Sequence, residues 1–224
     1  MRRCLDLYCC GGGAGYGYHL AGLDITGVDL LPQPAYPFRF IQSDAVSYLL
    51  EHGHEYDFIH ASPPCQAHSD LRNAWNAHEH EDLIPVTREA LIQVGRPYMI
   101  ENVEGAPLKD PVILCGSMFD LGTGEYKLIR HRQFESSFPL PQPADLCRAD
   151  ERPAVGVYGG KVRNRRAIAT GSQRSRVGTT LPLALGREAM GIGWLNGVKL
   201  SQAIPPAYTR WIGETWLASL PQKD

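Results

Sequence analysis

The chain has 224 residues, 43% of them hydrophobic and 21% charged, and its formal net charge at pH 7 is −2. This composition is ordinary for a folded protein, so it excludes a disordered chain. It also excludes a membrane-spanning protein, because no apolar run approaches about 18 residues. The first residues reach an acidic side chain, Asp6, before a signal-type apolar core could form, so we expect a cytoplasmic protein that contacts no membrane. With so small a net charge, any surface for a polyanion must be local.

The cysteines of the chain predict neither a metal site nor a disulfide framework. The six cysteines contain no Cys-x-x-Cys pair, and Cys9 and Cys10 are adjacent. This spacing suits neither kind of site. We therefore expect reduced thiols and no metal.

The first predicted element is a strand from Arg3 to Tyr8, followed by a glycine-rich turn and a helix over residues 18–22. Consecutive glycines let the backbone approach a ligand closely and reach positive φ. The dinucleotide fingerprint is absent because Tyr16 stands where its third glycine would be, and no phosphate-loop Gly-Lys-Ser/Thr follows. The turn predicts a cofactor loop that is not built for phosphate, and a purely structural turn is the alternative.

Two further predicted strands end next to acidic residues. The strand from Ile25 ends at Asp29, whose carboxylate could accept hydrogen bonds from ribose hydroxyls, or could serve as a surface cap. The strand over residues 38–42 precedes Asp44, and a helix is expected over residues 45–51. Asp44 is equally suited to cap this helix and to contact a ligand.

The next strand is followed by a rigid turn that carries a cysteine. Residues 58–61 are typical of a buried parallel strand, and Pro63 and Pro64 then force the chain to turn. A thiol held there, Cys65, would have the fixed geometry that a nucleophile needs. The alternative is a small, inert, buried side chain.

A second strand end also carries polar groups. The apolar strand over residues 98–101 ends in Glu101 and Asn102. The segment before this strand first contains three histidines whose spacing does not suit zinc, which predicts a polar loop. A helix is then expected over residues 81–94, with Pro85 near its start. This alternation of strands and helices predicts a mostly parallel sheet.

Two short strands are expected beyond this point, over residues 112–115 and 128–134. Arg130 and Arg132 lie on alternate residues of the second strand, so we expect them on one face. Paired guanidinium groups there could bind an anion or a carbonyl, or could form a surface ion pair.

A basic segment follows a proline-rich stretch over residues 139–143. From Arg148 to Arg176 the sequence has eight basic and two acidic residues, and five glycines between 156 and 178 predict a loop-rich structure. Such a segment could follow a phosphate backbone, or could be a flexible solvated insertion. The candidate DNA-binding residues are Arg163, Arg165, Arg166, Arg174 and Arg176.

Order returns from Leu185, with a short helix predicted over residues 186–191 and a C-terminal helix after the prolines at 205 and 206. The periodicity of the last helix predicts a buried face that contains Trp211, Ile212, Thr215 and Trp216.

Three features together resemble the DNA cytosine-5 methyltransferases: the glycine-rich start, the Pro63-Pro64-Cys65 turn and the strand end Glu101-Asn102-Val103. The resemblance implies an α/β, Rossmann-like methyltransferase fold with helices on both faces of the sheet and S-adenosylmethionine as cofactor. Two positions depart from the family: Cys10 replaces the first loop glycine, and Gln202 stands near the place of an asparagine. The cofactor-binding residues that it implies are Asp6, Tyr8, Gly11, Gly12, Gly13, Asp29, Asp44, Pro63 and Gln202.

The resemblance also implies a mechanism in which a cytosine is flipped out of double-stranded DNA. Cys65 would add to carbon 6 of the ring, Glu101 would bind ring nitrogen 3 and the amino group, and Asn102 would hold the cysteine turn. Arg130 and Arg132 would contact the flipped nucleotide and its phosphate. Such DNA methylation is typical of restriction-modification systems.

The implied organisation is a monomer with a catalytic and cofactor-binding core over residues 1–138, a short basic recognition insertion over 139–184 and a C-terminal segment over 185–224. The insertion is far shorter than is usual in the family. The C-terminal segment would pack back on the core and complete the cofactor pocket.

Other functions remain open from sequence. A non-catalytic DNA-binding protein could share the fold and the basic segment, and the substrate could be RNA or the donor a modified one. A cytidine deaminase would need a second cysteine where His68 stands, and a nicotinamide dehydrogenase would need a different glycine spacing.

Overall fold

The computed structural model describes residues 1–64, 82–144, 151–158, 161–165 and 180–221. Its strands are β1 (Arg3–Leu7), β2 (Asp24–Asp29), β3 (Arg39–Gln42), β4 (Phe58–Ala61), β5 (Tyr98–Asn102), β6 (Val112–Leu114), β7 (Lys127–Leu128), β8 (Arg132–Ser136), β9 (Ala154–Tyr158), β10 (Lys161–Arg165) and β11 (Thr180–Leu181). Its α-helices are α1 (Gly13–Leu20), α2 (Ala45–His52), α3 (Ile84–Val94), α4 (Leu183–Met190), α5 (Gly197–Gln202) and α6 (Pro206–Ala218).

The larger sheet has seven strands in the order β3-β2-β1-β4-β5-β8-β6. The first five strands in this order, from β3 to β5, pair in parallel, whereas β8 is antiparallel to both β5 and β6. The predicted Rossmann-like, mostly parallel sheet is therefore confirmed. The order reverses at β1 and β4, and ligands of open α/β sheets bind at such switch points.

The sheet is covered on both faces, as the alternation of its side chains requires. On one face, Phe58 and Met99 pack with residues of α1 and α6. On the other, Ile59 and Ile100 pack against Leu49 of α2 and against α3. Each central strand thus contributes side chains to both cores, which explains its nearly continuous apolar sequence.

Helices α1 and α6 lie in close contact. A side chain at Gly17 would collide with the hydroxyl of Thr209 and the carbonyl of Pro206, so only glycine permits this approach. The buried face of α6 includes Ile212 and Trp216, whereas Trp211 and Thr215 of the predicted face are only half-buried.

A second, four-stranded sheet has the order β11-β10-β9-β7 and forms a smaller core with α4 and α5. The predicted loop-rich basic segment thus contains the antiparallel pair β9 and β10. The single strand expected over residues 128–134 is wrong, because β7 joins the second sheet while β8 joins the first. The chain crosses from one sheet to the other at residues 129–131.

Two helix boundaries also differ from expectation. Helix α1 begins within the glycine turn, at Gly13, because glycine at position 12 adopts the left-handed conformation that ends the turn. Helix α3 begins at Ile84, so Pro85 occupies the first turn, where a missing N–H costs nothing.

None of the described helices is both long and apolar enough to span a membrane. Within the same part of the chain, no three His, Cys, Asp or Glu residues are grouped as metal ligands.

Candidate active site

Two of the predicted catalytic residues, Glu101 and Asn102, lie at the carboxyl end of the central strands. Leu7 of β1 pairs with Ala61 of β4, and Ala61 pairs with Ile100 of β5. Ser62, the residue after β4, and Glu101 of β5 therefore lie side by side. The double-proline turn follows directly from Ser62.

Glu101 is a buried carboxyl group with a cationic neighbour. It is 6% exposed, and its Oε1 forms an ion pair with Arg132, whose Nε lies 2.9 Å away. Burial raises the pKa of Glu101, while Arg132, Arg130 and a hydrogen bond from Ser62 act in the opposite direction. Because burial is the largest effect, this carboxyl group holds a proton more readily than an exposed glutamate does.

Asn102 connects the two strand ends. Its Nδ2 donates to the carbonyl of Pro63 at 3.0 Å, and its Oδ1 accepts from the N–H of Val103 at 2.9 Å. The side chain is 1% exposed, so both bonds are shielded from water. Asn102 thereby fixes the turn just before position 65.

The structure separates the two arginines that were expected on one face. Arg132 lies on β8 beside Glu101, whereas Arg130 precedes that strand and is fully buried. Its terminal nitrogens donate to the carbonyls of Val157, Ser201 and Ala203 at 2.7–2.9 Å. Arg130 thus serves main-chain carbonyls of the protein, in contrast to the predicted contact with a nucleotide.

A buried ion pair supports the strand that carries Glu101. Arg88 of α3 donates from Nε and Nη2 to the two carboxylate oxygens of Glu135 on β8, at 2.8 and 2.7 Å. The same Glu135 accepts from the N–H of Lys109, and Arg88 also donates to Pro107. These bonds tie the loop after β5 to the sheet.

The glycine turn after β1 is held by protein groups. A side chain at Gly11 would collide with Leu195, one at Gly13 with the carbonyl of Ile204, and Gly12 has a φ of 82°. Trp194 donates from Nε1 to the carbonyl of Gly11 at 2.9 Å. The C-terminal part of the chain therefore packs directly on this turn.

Asp6 lies under the turn and is only 1% exposed. It accepts hydrogen bonds from the hydroxyl of Tyr36, at 2.9 Å, and from the backbone of Gly15. Burial raises its pKa to about 7, which those two hydrogen bonds oppose. Asp6 thus supports the start of α1 from below.

Asp29, the predicted ribose-binding residue, lies at the end of β2 beside two exposed leucines. The carboxylate accepts the N–H groups of Cys10 and Leu31, both at 3.0 Å, and is half-buried. Each oxygen can accept a further bond, for example from a hydroxyl. Leu30 and Leu31 are 66% and 63% exposed, which provides an apolar surface beside the carboxylate.

The remaining predicted cofactor residues have protein partners as well. Asp44 caps α2 by accepting the N–H of Ser47 at 2.8 Å, and its backbone contacts lower its pKa. The hydroxyl of Tyr8 bonds that of Thr87 at 2.7 Å. The exposed Gln202 accepts from the thiol of Cys10 at 3.6 Å.

Cys10 also adopts a backbone conformation that favours glycine. Its φ of 45° lies in the left-handed region, and Lys199 Nζ contacts its sulfur at 3.7 Å and Gln33 Oε1 at 2.9 Å. The anchoring of its N–H by Asp29 offsets part of the strain.

Several predicted residues lie outside the described part of the chain: Cys65, Arg166, Arg174 and Arg176. Arg163 and Arg165 lie in β10, whose backbone pairs with β9 and β11. The roles predicted for these residues stay predictions.

Sequence analysis missed three residues that structure the site: Tyr36, His60 and Ser62. His60 interrupts an otherwise apolar strand, and a polar side chain at a buried position was the available signal. Tyr36 lies in a loop, where no periodicity reports burial.

Neither a protein-family model nor a curated protein sequence matches the chain. Solved structures do resemble it. A protein described as a DNA modification methyltransferase encoded within a prophage of E. coli aligns with a TM-score of 0.62 and 14% identity, covering 97% of this chain and 99% of its own.

The Dnmt2 methyltransferase of S. pombe aligns with a TM-score of 0.61 and 12% identity, covering 98% of this chain and 100% of its own. The EhMeth methyltransferase of Entamoeba histolytica aligns with a TM-score of 0.58 and 10% identity, covering 99% of both chains. The chain therefore has a methyltransferase fold over nearly its whole length.

Proposed function

We propose that the protein is a DNA cytosine-5 methyltransferase that uses S-adenosylmethionine and forms a transient covalent bond from Cys65 to the base. The observation that carries this proposal is the buried carboxyl group of Glu101, held beside a double-proline turn that Asn102 fastens. The carboxyl group of Glu101 and the turn that leads to the Cys65 thiol thus lie at the ends of adjacent strands.

The chemistry of Glu101 suits the edge of a cytosine. Ring nitrogen 3 accepts a hydrogen bond and the amino group donates one, so a protonated carboxyl group can satisfy both. Burial raises the pKa of Glu101 and so favours that form. Withdrawal of charge by this contact makes carbon 6 more open to attack.

The residues around the glycine turn fit the proposed cofactor. The Asp29 carboxylate retains acceptor capacity for ribose hydroxyls, and the exposed Leu30 and Leu31 offer a surface to the adenine ring. Asp44 follows the end of the neighbouring strand and is exposed. When bound, S-adenosylmethionine supplies an electrophilic methyl group.

The covalent step makes carbon 5 nucleophilic. The Cys65 thiolate would bond to carbon 6, and the electron pair of the ring double bond would move to carbon 5. Carbon 5 could then take the methyl group as its bond to the sulfonium sulfur breaks, with S-adenosylhomocysteine as the leaving group. A base then removes the proton from carbon 5, the double bond is restored and the thiolate leaves. Asn102 acts by holding the Pro63 carbonyl, and so the turn, in place.

DNA is the proposed substrate for two reasons. One structural neighbour is described as a DNA modification methyltransferase. The second sheet also contains part of the basic segment, in β10. Because a stacked base cannot reach Glu101, the cytosine must be flipped out of the duplex.

A covalent trap tests this proposal. Purified protein is incubated with S-adenosylmethionine and a mixed-sequence duplex in which 5-fluorocytosine replaces cytosine. Fluorine cannot leave carbon 5 as a proton does, so elimination is blocked and the adduct accumulates. We expect a complex that survives denaturing electrophoresis with the wild type and is absent with Cys65→Ser. A wild type that forms no such complex, or a serine variant that forms it equally, contradicts the proposal.

A further inference from the structure

A chain of buried polar side chains leads from helix α1 to Glu101. The hydroxyl of Tyr18 lies 3.0 Å from Nδ1 of His60, and Nε2 of His60 lies 2.8 Å from the hydroxyl of Ser62. Ser62 in turn is the hydrogen-bond donor whose contact lowers the pKa of Glu101. Tyr18 and His60 are both fully buried, so water does not compete for the bond between them, whereas Ser62 is half-buried.

The direction of the chain follows from the ionisation states. Burial lowers the pKa of His60 to about 3, so its imidazole is neutral at physiological pH. A neutral imidazole has one donor and one acceptor nitrogen. Burial also raises the pKa of Tyr18, whose hydroxyl keeps its proton. In the described part of the chain, that hydroxyl has no acceptor other than His60.

Tyr18 must therefore donate to Nδ1, since a buried hydroxyl donor without an acceptor is costly. Nε2 of His60 then carries the proton and donates to the oxygen of Ser62. The Ser62 hydroxyl is then free to donate its proton to the carboxyl group of Glu101, with which it shares a hydrogen bond.

We propose that His60 and Ser62 are positioning residues that hold a hydroxyl proton on the Glu101 carboxyl group, with Tyr18 setting the direction of the chain. The proposal rests on the proposed function only in that Glu101 is the group that binds the base. Tyr18 also belongs to the helix that begins in the glycine turn, so the chain physically connects that turn with the proposed base site.

The effect on Glu101 is a balance between opposing groups. Burial favours the neutral acid, whereas Ser62, Arg132 and Arg130 favour the carboxylate. Cys4, Asp6 and Glu101 are the ionisable groups that act on Tyr18, and all three oppose its ionisation. Loss of the Ser62 donor therefore leaves burial less opposed and raises the pKa of Glu101.

The direct test is a carbon-13 NMR titration of the Glu101 carboxyl group, assigned by comparison with Glu101→Gln. We expect the Glu101 pKa to shift to higher pH in Ser62→Ala, and to shift in the same direction in His60→Phe. Ser136→Ala is the matched control, because its hydroxyl lies on β8 and donates to the carbonyl of Phe138, away from the chain. Unchanged titration in Ser62→Ala would overturn the proposal.

Nitrogen-15 NMR of His60 tests the direction separately, and remains informative if His60→Phe fails to fold. We expect the neutral tautomer with the proton on Nε2 from pH 8 down to pH 5, and loss of that preference in Tyr18→Phe. A proton on Nδ1, or an imidazole that becomes charged above pH 6, would refute the direction.

Neither NMR measurement requires methyl transfer, so both are valid even if the enzymatic proposal fails. If the wild type does methylate DNA, the alkaline limb of its pH–rate profile should move to higher pH in Ser62→Ala and stay in place in Ser136→Ala. An active wild type whose profile is unmoved by Ser62→Ala would count against the positioning role alone.

Discussion

Single carboxyl groups in this protein acquire different properties from their surroundings. Glu101 is buried and has a raised pKa, whereas Asp44 is exposed and its helix-cap contacts lower its pKa. Asp29 is half-buried and accepts hydrogen bonds from two backbone N–H groups. Three acidic residues at the same sheet edge therefore differ in burial and in hydrogen-bond partners.

Glu101→Gln tests the proposed proton sharing. The amide keeps the size of the side chain but can no longer share an acidic proton with ring nitrogen 3, so turnover should fall by at least about a hundredfold. Binding of duplex DNA should change little, because the amide still fits the pocket. Single-turnover rates and duplex titrations measure the two quantities, and equal losses in both would make Glu101 a structural residue.

Asp29→Ala tests the nucleoside site. Loss of charge-assisted hydrogen bonds to two ribose hydroxyls should weaken binding of S-adenosylmethionine by about ten- to a hundredfold, or roughly 1.5–3 kcal/mol. Titration calorimetry measures the dissociation constant, and Asp44→Ala provides a comparison at the next strand. Unchanged affinity in Asp29→Ala would leave this residue only its contacts with Cys10 and Leu31.

The site was partly predictable from sequence at this scale. The contact of Asn102 with the Pro63 carbonyl followed from a resemblance carried by local motifs. The burial of Arg130 did not, because its partners Val157 and Ala203 lie far along the chain and on different elements. Alternation along a strand predicts a shared face only if both residues stay in that strand.

At the scale of elements, helix α1 is positioned by groups beneath it as well as by the sheet. Tyr36 reaches under the helix from the loop between β2 and β3, and its ring fills the space that Gly27 leaves open. Its hydroxyl meets Asp6, whose other partner is the backbone of Gly15. The helix therefore begins over a buried acid.

Asp6 should make the stability of the protein depend on pH. Its pKa is about 7 in the folded state against an ordinary value of 3.8, so the folded protein retains a proton that the unfolded chain releases. Stability from this group is fully present below pH 3.8 and is lost as the pH rises through about 7. The whole loss is on the order of 4 kcal/mol.

Asp6→Asn should remove this dependence, because the amide oxygen can still accept from Tyr36 and carries no charge. Urea denaturation at pH 4.5 and at pH 8 gives the free energy of unfolding of both proteins. We expect the wild type to lose more stability than the variant between these two conditions. A variant with the same loss would mean that Asp6 is not the group that titrates.

The elements themselves were mostly predictable, and the exceptions have physical causes. Central strands such as residues 58–61 are buried on both faces, so their apolar runs are long and unambiguous. The segment over residues 128–134 divides between two sheets, and tertiary pairing, which no local pattern reports, decided where each strand ends. The strands β9 and β10 were not predicted, because the glycines and arginines of this segment are typical of a loop.

At the scale of the whole molecule, the buried Arg130 links the described parts of the two sheets. Arg130 donates to β9, to the last turn of α5 and to the residue that follows it, while Tyr208 of α6 donates to its carbonyl at 2.7 Å. Burial and Arg132 lower the pKa of Arg130 to about 9. Trp194 then joins the smaller core to the glycine turn. The glycine turn is therefore packed directly against the smaller core.

The basic segment should supply affinity more than sequence specificity. Arg163, Arg165 and Arg166 lie within four residues, so their charges would meet neighbouring phosphates. The triple change to alanine should weaken binding to all duplexes alike and reduce the slope of log affinity against log salt by up to about 2.7. The preferred methylation context should persist. An altered context with an unchanged slope would show instead that these arginines read bases.

The central claim is the transfer of a methyl group to carbon 5 of cytosine through Cys65, and the nucleoside product tests it most directly. Duplex DNA is incubated with S-adenosylmethionine that carries a carbon-13 methyl group, digested to nucleosides and analysed by mass spectrometry against authentic standards. We expect labelled 5-methyldeoxycytidine from the wild type and none above background from Cys65→Ser with intact cofactor binding. Label on an exocyclic nitrogen of cytosine or adenine, or a serine variant that forms the same product at a comparable rate, would contradict the account.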